Sequence, residues 1–473
     1  MKRWLRNILI ILSMLAAPVA TAYDYSARFN LGLYSIKEDL KNTGIAPVAN
    51  DRFLGIGRAY VDVTNLTGSG LEFTVDLRNQ YDPFGRIEPA LGRMAASNDV
   101  QLRQLVLRSP ATRTGVFWSI GRFVAADAVV LGNDGAEAGL RLNQSTRLAL
   151  FGGLYPEHRG GRSLKIGLEE RQIGGYAVYE ESSKSGESNT YASTSLVGRK
   201  SLEGVGSFDN PAVRRGGSIL VGNETAPTEA DAASNYMFWY ANAFRQRASG
   251  QRLTYISHII VQPSVQVRNL WASLYQPWTS RLSGSANLFH LDLRSYQQFR
   301  DLLDRLPISG YSQLGGDLRY KLSNQFAIVG DTSYGRRDVD GKNQYGLGGR
   351  IVTTGLLNSH LTAFAGAGFK RNFLSQDSIL RSGATYYWRE SSVSASIQYT
   401  AQSIDRRSSL HPLVVDTDMS MLLTRDLIGS VVLEAAQDEQ ASVYSALLSI
   451  GYRINTRQAT PIRDETPKLE RIL

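Results

Sequence analysis

Residues 442–454, SVYSALLSIGYRI, decide the fold of this 473-residue chain. Successive side chains of a β-strand point to opposite faces, so alternate residues form two sets. One set is apolar from Tyr444 to Ile454 and has Tyr444 and Tyr452 near its ends, whereas the other contains serine, glycine and arginine together with Val443 and Leu447. Eight residues span about 26 Å along a strand, and a tilt of about 40° reduces this to about 20 Å. The stretch therefore predicts a strand that crosses the apolar band of a membrane.

The first 22 residues have the pattern of a secretory signal peptide. Three of the first six residues are basic, an apolar run follows over residues 8–17, and Ala20-Thr21-Ala22 forms a small-x-small cleavage site. The apolar run is too short to span a hydrocarbon core as an anchor. No apolar stretch of about 18 residues occurs later, so membrane-spanning helices are not expected. We predict export of the chain and cleavage after Ala22.

The composition excludes several classes of protein. The chain has 44 glycines, 23 tyrosines and no cysteine, and its mean hydropathy is negative, which is too polar for a helical membrane protein. The absence of cysteine excludes a disulfide framework, thiolate metal sites and covalently attached c-type haem. A net charge of +9 is a mild bias for a chain of this length, so we do not expect nucleic acid as a partner.

Alternating segments recur along the whole mature chain. About 22 of them can be drawn, within a range of 18 to 22, and few have room for a helix between them. Their centres lie near residues 30, 58, 75, 104, 118, 139, 149, 175, 194, 240, 256, 270, 286, 316, 329, 347, 364, 383, 397, 418, 431 and 448. The sequence predicts an all-β fold, a transmembrane antiparallel up-and-down β-barrel over residues 23–454, with apolar faces toward lipid and polar faces toward a lumen.

The lengths of the links between segments support this prediction. Short links, such as 323–324 and 390–391, alternate with longer ones, such as 37–51 and 201–235. Short turns on one side and long loops on the other are typical of outer-membrane barrels. The alternation fails near residues 180–188, where the link is long, and near 262–264, where it is short, which suggests a misdrawn strand.

Two predicted loops have contents that could narrow a lumen. Residues 296–306 place apolar side chains at helical spacing before Pro307, which predicts a short amphipathic helix that either enters the pore or caps the barrel rim. Residues 82–98 contain proline, glycine and Arg86 and Arg93. They are interpreted as a surface loop, with an inward-folded eyelet as the alternative.

The polar faces of the predicted strands supply the candidate pore-lining residues. Basic side chains outnumber acidic ones among them, and rings of arginine or lysine in a pore favour anions. The alternative is that these charges only form ion pairs along the wall, which keeps a water-filled interior soluble. The candidates are Arg28, Arg58, Asp62, Glu72, Asp76, Arg78, Asp317, Arg319, Lys321 and Arg350.

Catalytic and metal-binding motifs are absent from the sequence. The five histidines have no metal-ligand spacing, and no Gly-x-Ser-x-Gly elbow occurs. Asp338 and Asp340 precede Gly341 in a pattern that suits a hairpin turn better than a calcium site. We expect no enzyme activity, no cofactor and no bound metal.

Together, the signal peptide, the alternating segments and the alternating link lengths make the mature chain resemble a large porin-like outer-membrane β-barrel of Gram-negative bacteria. The resemblance implies a channel for small hydrophilic solutes, with anions as the candidate class. The alternative is the barrel component of a multiprotein envelope system, either a polysaccharide outlet or the sheath of an electron conduit. Such barrels usually end on an aromatic residue, whereas nineteen residues follow Ile454 here.

The C-terminal segment, residues 455–473, is charged, contains two prolines and has no period. We interpret it as a polar periplasmic tail. A docking segment for a periplasmic protein is the alternative. The partners expected for the chain are therefore outer-membrane lipid, small hydrophilic solutes and, through this tail, a periplasmic protein.

Overall fold

The computed structural model describes residues 24–41, 50–66, 70–88, 93–110, 114–128, 131–156, 170–183, 187–201, 236–262, 265–292, 310–338, 340–356, 360–373, 375–404 and 409–455. Nearly all of these residues lie in 22 strands. The first eleven are β1 (Asp24–Leu40), β2 (Asn50–Leu66), β3 (Leu71–Glu88), β4 (Arg93–Ser109), β5 (Gly115–Ala125), β6 (Leu131–Arg141), β7 (Thr146–Leu154), β8 (Glu170–Ser182), β9 (Asn189–Ser201), β10 (Tyr236–Gln246) and β11 (Arg252–Gln262). The other eleven are β12 (Gln266–Pro277), β13 (Leu282–Leu291), β14 (Tyr311–Lys321), β15 (Phe326–Arg337), β16 (Asn343–Gly355), β17 (Leu361–Arg371), β18 (Ser375–Trp388), β19 (Ser391–Ile404), β20 (Leu413–Thr424), β21 (Leu427–Gln437) and β22 (Ala441–Asn455).

The strands form one closed antiparallel sheet. Each strand pairs with its neighbours in the sequence, and β1 pairs with β22 from Ser26↔Asn455 to Leu40↔Ala441. Closure removes the free edges that an open sheet would expose to lipid. The fold is a 22-stranded up-and-down β-barrel, as the period-two pattern predicts, and each of the 22 predicted centres lies within a strand.

The lengths of the links define two ends of the barrel. The short-turn end carries the links after even-numbered strands, such as 389–390 and 425–426, and the long-loop end carries 202–235 and 292–310. The two irregular links are genuine, because six residues separate β8 from β9 and three separate β11 from β12. The suspicion of a misdrawn strand near them was wrong.

The prediction of a surface loop or eyelet at residues 82–98 was also wrong. β3 continues to Glu88 and β4 begins at Arg93, with Asp82 opposite Ser97 and Arg86 opposite Ala95. A register shift between Asp82 and Arg86 accommodates Pro83, which cannot donate a ladder hydrogen bond and is tolerated at such irregularities. Proline and glycine in this stretch therefore mark a bulge in a long hairpin.

Other predictions fall on residues that the structure does not describe. These are the signal peptide, the helix at 296–306 and the tail beyond Asn455. Among the described residues, no helix is long and apolar enough to cross a membrane.

The outer surface of the barrel carries an apolar belt with aromatic residues at both limits. On β22, Tyr444, Leu448, Ile450 and Tyr452 all face outward and are each almost half exposed. Exposed aromatic residues near the long-loop end are Phe53, Tyr334, Tyr345, Phe369 and Tyr444, and those near the short-turn end are Tyr179, Trp278, Tyr320, Phe326, Tyr386 and Tyr452. The eight-residue spacing of Tyr444 and Tyr452 recurs on β15, so the belt has the height of about 20 Å expected from a tilted strand.

Candidate functional site

The lumen is the candidate site, and its polar lining follows from the same alternation. All ten predicted pore-lining residues occupy positions that alternate with the outward apolar residues, so the register places them on the inner face. They fall into two groups. One lies on β1, β2 and β3, and the other lies on β14 and β16.

The first group consists largely of wall contacts. Arg58 donates to both carboxylate oxygens of Asp76 across the β2–β3 ladder, from Nε at 2.9 Å and from Nη2 at 2.7 Å. Asp62 accepts a hydrogen bond from Thr74 Oγ1 at 2.7 Å. Arg103 also approaches Asp76, at 3.9 Å. In this sector Arg58 and Asp76 form an ion pair between neighbouring strands, as the alternative interpretation of these charges expects.

The hairpin formed by β5 and β6 leaves the barrel wall and enters the lumen. β4 pairs with β5 only from Leu105 to Ser109, and β6 pairs with β7 only from Asp134 to Arg141. Residues 123–128 on one side and 131–133 on the other therefore have no ladder pairing with β4 or β7. The 3-10 helix Ala126–Ala128 at the hairpin tip instead contacts β8 and β9. This inward segment was not predicted from the sequence.

Glycines make the bend sterically possible. Gly121 has φ = 121°, and a Cβ at this position would collide with the carbonyl oxygen of Leu105. A Cβ at Gly135 would collide with the backbone of Gly152. Only glycine fits where the backbone has positive φ and passes this close to a neighbouring strand. These glycines are the sequence signal that could have indicated the bend.

A buried ion pair holds the base of the hairpin. Arg122 Nε donates to Asp134 Oδ1 at 2.6 Å, and both side chains are only 8% exposed. Arg122 Nη1 also donates to the carbonyl oxygen of Leu102 at 2.9 Å, beyond the point where β4 loses its pairing with β5. The guanidinium thus donates to a carbonyl group that has no ladder partner on β5.

Asp127 holds the tip of the hairpin to the lumen wall. It accepts hydrogen bonds from Arg147 Nε at 3.0 Å, from Arg147 Nη2 at 2.9 Å and from the hydroxyl of Tyr191 at 2.9 Å. Arg147 also lies 3.4 Å from Glu180. Ala128 beside it is fully buried. The tip therefore lies flat against β7, β8 and β9.

Hydrogen bonds of side-chain amides fix the part of the hairpin around residues 132 and 133. Gln172 Nε2 on β8 donates to the carbonyl oxygen of Gly132 at 2.6 Å and to Asn133 Oδ1 at 3.0 Å. Asn133 Nδ2 donates to the carbonyl oxygen of Gly152 at 3.2 Å. Lower on the hairpin, the hydroxyl of Tyr176 donates to Glu137. These contacts make the hairpin a part of the lumen surface on one side of the barrel.

The second group of predicted residues belongs to a row of arginines. Val329 on β15 is opposite both Arg319 on β14 and Arg350 on β16. Gly366 on β17 is opposite both Arg350 and Arg381 on β18. Asp317 and Asp331 lie beside the lower part of this row and face each other across the β14–β15 ladder. Arg381 was not among the predicted residues, although it alternates with Leu380 on the polar face of its strand.

The strand number sets the width of the lumen. With strands about 4.8 Å apart and tilted by about 40°, a circular barrel of this strand number has a backbone diameter of about 44 Å. The inward hairpin lies against one side of such a wall. The described residues contain no cluster of three histidine, aspartate or glutamate side chains that could hold a metal ion.

At the long-loop rim, Asp340 lies in the hairpin turn between β15 and β16. The backbone N–H of Arg337 donates to the carbonyl oxygen of Lys342 at 2.9 Å, and Gly341 has φ = 64°. The hydrogen bond from the Arg337 side chain lowers the pKa of Asp340 from 3.8 to about 2. This geometry is the hairpin turn that the sequence favours for Asp338 and Asp340.

Comparisons with known proteins found solved structures that resemble this chain at low sequence identity, but no family. No protein-family model matches the chain, and no curated protein matches it in sequence. Among solved structures, the translocation pore of the P pilus usher PapC is 9% identical over 91% of this chain and 99% of that one, with a TM-score of 0.48. OccAB4 of Acinetobacter baumannii is 10% identical over 92% and 99%, with a TM-score of 0.43. OpdQ of Pseudomonas aeruginosa is 10% identical over the same shares, with a TM-score of 0.41.

These similarities do not assign a function, because both the identities and the TM-scores are low. The large porin-like barrel that the sequence resembles is confirmed as a fold by the strand pairing itself. A function has to be argued from the two faces of the wall.

Proposed function

We propose that the chain is a channel in the outer membrane of a Gram-negative bacterium and that it passes small hydrophilic solutes, with a preference for anions. The observation that carries the proposal is the contrast between the two faces of one closed wall. The outer face has an apolar belt between aromatic residues, and the inner face has charged and polar residues on nearly every strand. A closed barrel satisfies all strand hydrogen bonds within lipid, and a polar interior holds water.

The location in the outer membrane rests on two further arguments. Barrels of this kind are the β-structures that span such membranes, and long loops at one end with short turns at the other are typical of them. The N-terminal sequence has the pattern of a signal peptide. We therefore place the short-turn end in the periplasm and expect cleavage after Ala22, which the N-terminal mass of the purified protein will test.

The preference for anions rests on the lumen charges. Arg58, Arg122 and Arg147 are neutralised by carboxylates, whereas Arg319, Arg350 and Arg381 follow one another on alternate strands without such pairs in the described part of the chain. Arginine in a pore wall raises the local concentration of anions. The proposal includes no catalytic step, because transport through this lumen needs none.

Reconstitution in planar bilayers tests both parts of the proposal. A water-filled barrel should give steady single-channel currents, and the reversal potential in a tenfold gradient of KCl should have the sign of chloride permeation. A reversal potential with the sign of potassium permeation would contradict the anion preference and leave the channel intact. Complete absence of current from correctly folded protein would contradict the channel.

The lumen width favours a second candidate, the barrel component of an envelope export system. A backbone diameter of about 44 Å exceeds the need of a small-solute pore, and barrels of 22 strands elsewhere have plugged lumens. Such a component would be a polysaccharide outlet or an electron-conduit sheath, with a periplasmic partner bound through residues 456–473. Pull-down from periplasmic extract with the full chain and with a chain ending at Asn455 tests this, and identical recovery of proteins would remove the tail from the proposal.

A further inference from the structure

The arginine row, formed by Arg319, Arg350 and Arg381, runs obliquely to the membrane plane along the lumen wall. Neighbouring members are two strands apart, which is about 10 Å at about 4.8 Å per strand. Because the strands are tilted by about 40°, the hydrogen-bond direction is inclined to the membrane plane, so the row rises by about 12 Å over its length. Arg319 lies two residues from the short-turn end of β14, and Arg381 lies in the middle of β18.

The guanidinium groups of the arginine row have no partner within the described part of the chain. None makes a hydrogen bond or a salt bridge, and the Nε atoms of Arg319 and Arg350 are shielded from solvent without an acceptor. An unpaired guanidinium lacks the charge-assisted hydrogen bonds that a carboxylate would provide, and an oxyanion that approached its Nη atoms from the lumen would supply them. The other lumen arginines in salt bridges have no such deficit.

Glycines lie beside the row on its β16–β17 side. Val329 and Gly366 occupy the strands between the arginines, and Gly348 and Gly368 lie beside them on the inner face. A Cβ at Gly366 would press against Arg350. Glycines therefore line the wall on the β17 side of Arg350, and Arg381 beyond them is exposed, so a solute can approach the guanidinium groups from this side.

The charges around Arg350 favour a solute with more than one anionic group. Its charge is repelled by Arg381 and Arg319 and attracted by Asp331 and Asp317. The two carboxylates lie beside the lower part of the row, so a single negative charge gains little there. A solute that bridges two guanidinium groups relieves their mutual repulsion and forms charge-assisted hydrogen bonds with both.

We propose that the arginine row is a binding site for small solutes that carry two or more carboxylate or phosphate groups, with Arg350 at its centre. This inference rests on the proposed channel and names the class of solute that the lumen selects. Solutes with one anionic group contact one arginine at a time and pass without being held.

Single-channel recording at 0.15 M KCl tests the site with citrate and tripolyphosphate as probes and acetate as the comparison. We expect citrate and tripolyphosphate to block the current reversibly at concentrations at which acetate, at equal ionic strength, does not. Arg350→Gln should weaken the block by about tenfold, because each hydrogen bond to a charged group contributes about one decade of affinity. Arg425→Gln, in the exposed turn between β20 and β21, is the matched control and should leave the block unchanged.

The outcomes separate the site from the channel. Steady KCl currents without a difference between acetate and the polyvalent probes would overturn the site and leave the channel intact. An equal loss of block in Arg350→Gln and Arg425→Gln would also overturn it, because the effect would then be general electrostatics. If the protein gives no current, calorimetric titration of citrate into detergent-solubilised protein replaces the current, and binding that Arg350→Gln does not weaken would overturn the site.

Discussion

Removal of Asp127 should release the tip of the β5–β6 hairpin from the lumen wall. Asp127 is the only side chain of the Ala126–Ala128 helix that can form ion pairs, and it accepts two hydrogen bonds from Arg147 and one from Tyr191. The Asp127→Ala substitution removes all three. The packing of Ala128 and the hydrogen bonds from Gln172 to Gly132 and Asn133 remain in the described part of the hairpin.

The magnitude follows from the geometry. Hydrogen bonds to charged groups contribute about 1.5 to 3 kcal/mol each, but these do not add fully, because Arg147 keeps Glu180 as a partner and remains 24% exposed. We take about 3 kcal/mol as the net loss, which raises the population of the detached tip by about 100-fold.

Thiol labelling measures this population, because the chain has no cysteine of its own. Ala128 is fully buried against the wall, so Ala128→Cys should react with a water-soluble maleimide only when the tip detaches. The labelling rate of Ala128→Cys should rise by about 100-fold when Asp127→Ala is added. Circular dichroism of both variants verifies that the barrel is folded.

The matched control is Asp338→Ala, which removes an exposed aspartate at the long-loop rim. It should leave the labelling rate of Ala128→Cys unchanged. The reasoning is refuted if Asp127→Ala changes the rate by less than about threefold, or if Ala128→Cys alone already reacts as fast as a cysteine on the surface.

Three further predictions test other parts of the barrel. Asp76→Asn should lower the free energy of unfolding in guanidinium by about 1 to 2 kcal/mol. The loss is small because Arg58 is 41% exposed. An unchanged unfolding midpoint would contradict the Arg58–Asp76 contact. Gly121→Ala should lower the free energy of unfolding by about 2 kcal/mol or more in the same assay. In the control Gly349→Ala, the added Cβ meets no atom within 4 Å, so the loss should be less than about 1 kcal/mol. Equal losses in the two variants would argue against the bend. Asp340→Asn should lower the melting temperature at pH 7 but not at pH 2. The carboxylate stabilises the fold above its unfolded pKa, and this effect is lost as the pH falls from 3.8 to about 2. A difference in melting temperature that persists at pH 2 would contradict this prediction.

The strands could be predicted from the sequence because their signal is local. Alternation of apolar and polar residues is visible within ten residues, so both the strand number and the inward face of the predicted arginines follow from it. The long hairpin of β3 and β4 could not be predicted in this way, because a proline such as Pro83 is typical of a loop. Only the pairing of β3 with β4 shows that a bulge accommodates it.

The arrangement of the candidate site depends on contacts between distant residues. Arg58 meets Asp76 eighteen positions away, and Asp127 meets Tyr191 sixty-four positions away. The arginine row exists only because the register aligns β14, β16 and β18, and a shift of two residues on one strand would break it. The sequence shows which residues face the lumen, whereas the register decides which of them act together.

A single-cysteine scan of β22 tests the central claim, a membrane barrel with a water-filled lumen, most directly. Residues 443–450 are replaced one at a time in protein reconstituted in lipid vesicles, and each variant is treated with a charged thiol reagent. The account predicts that positions 443, 445, 447 and 449, which face the lumen, react and that positions 444, 446, 448 and 450, which face lipid, do not. Equal reaction of both sets, or reaction of the outward set alone, would contradict it.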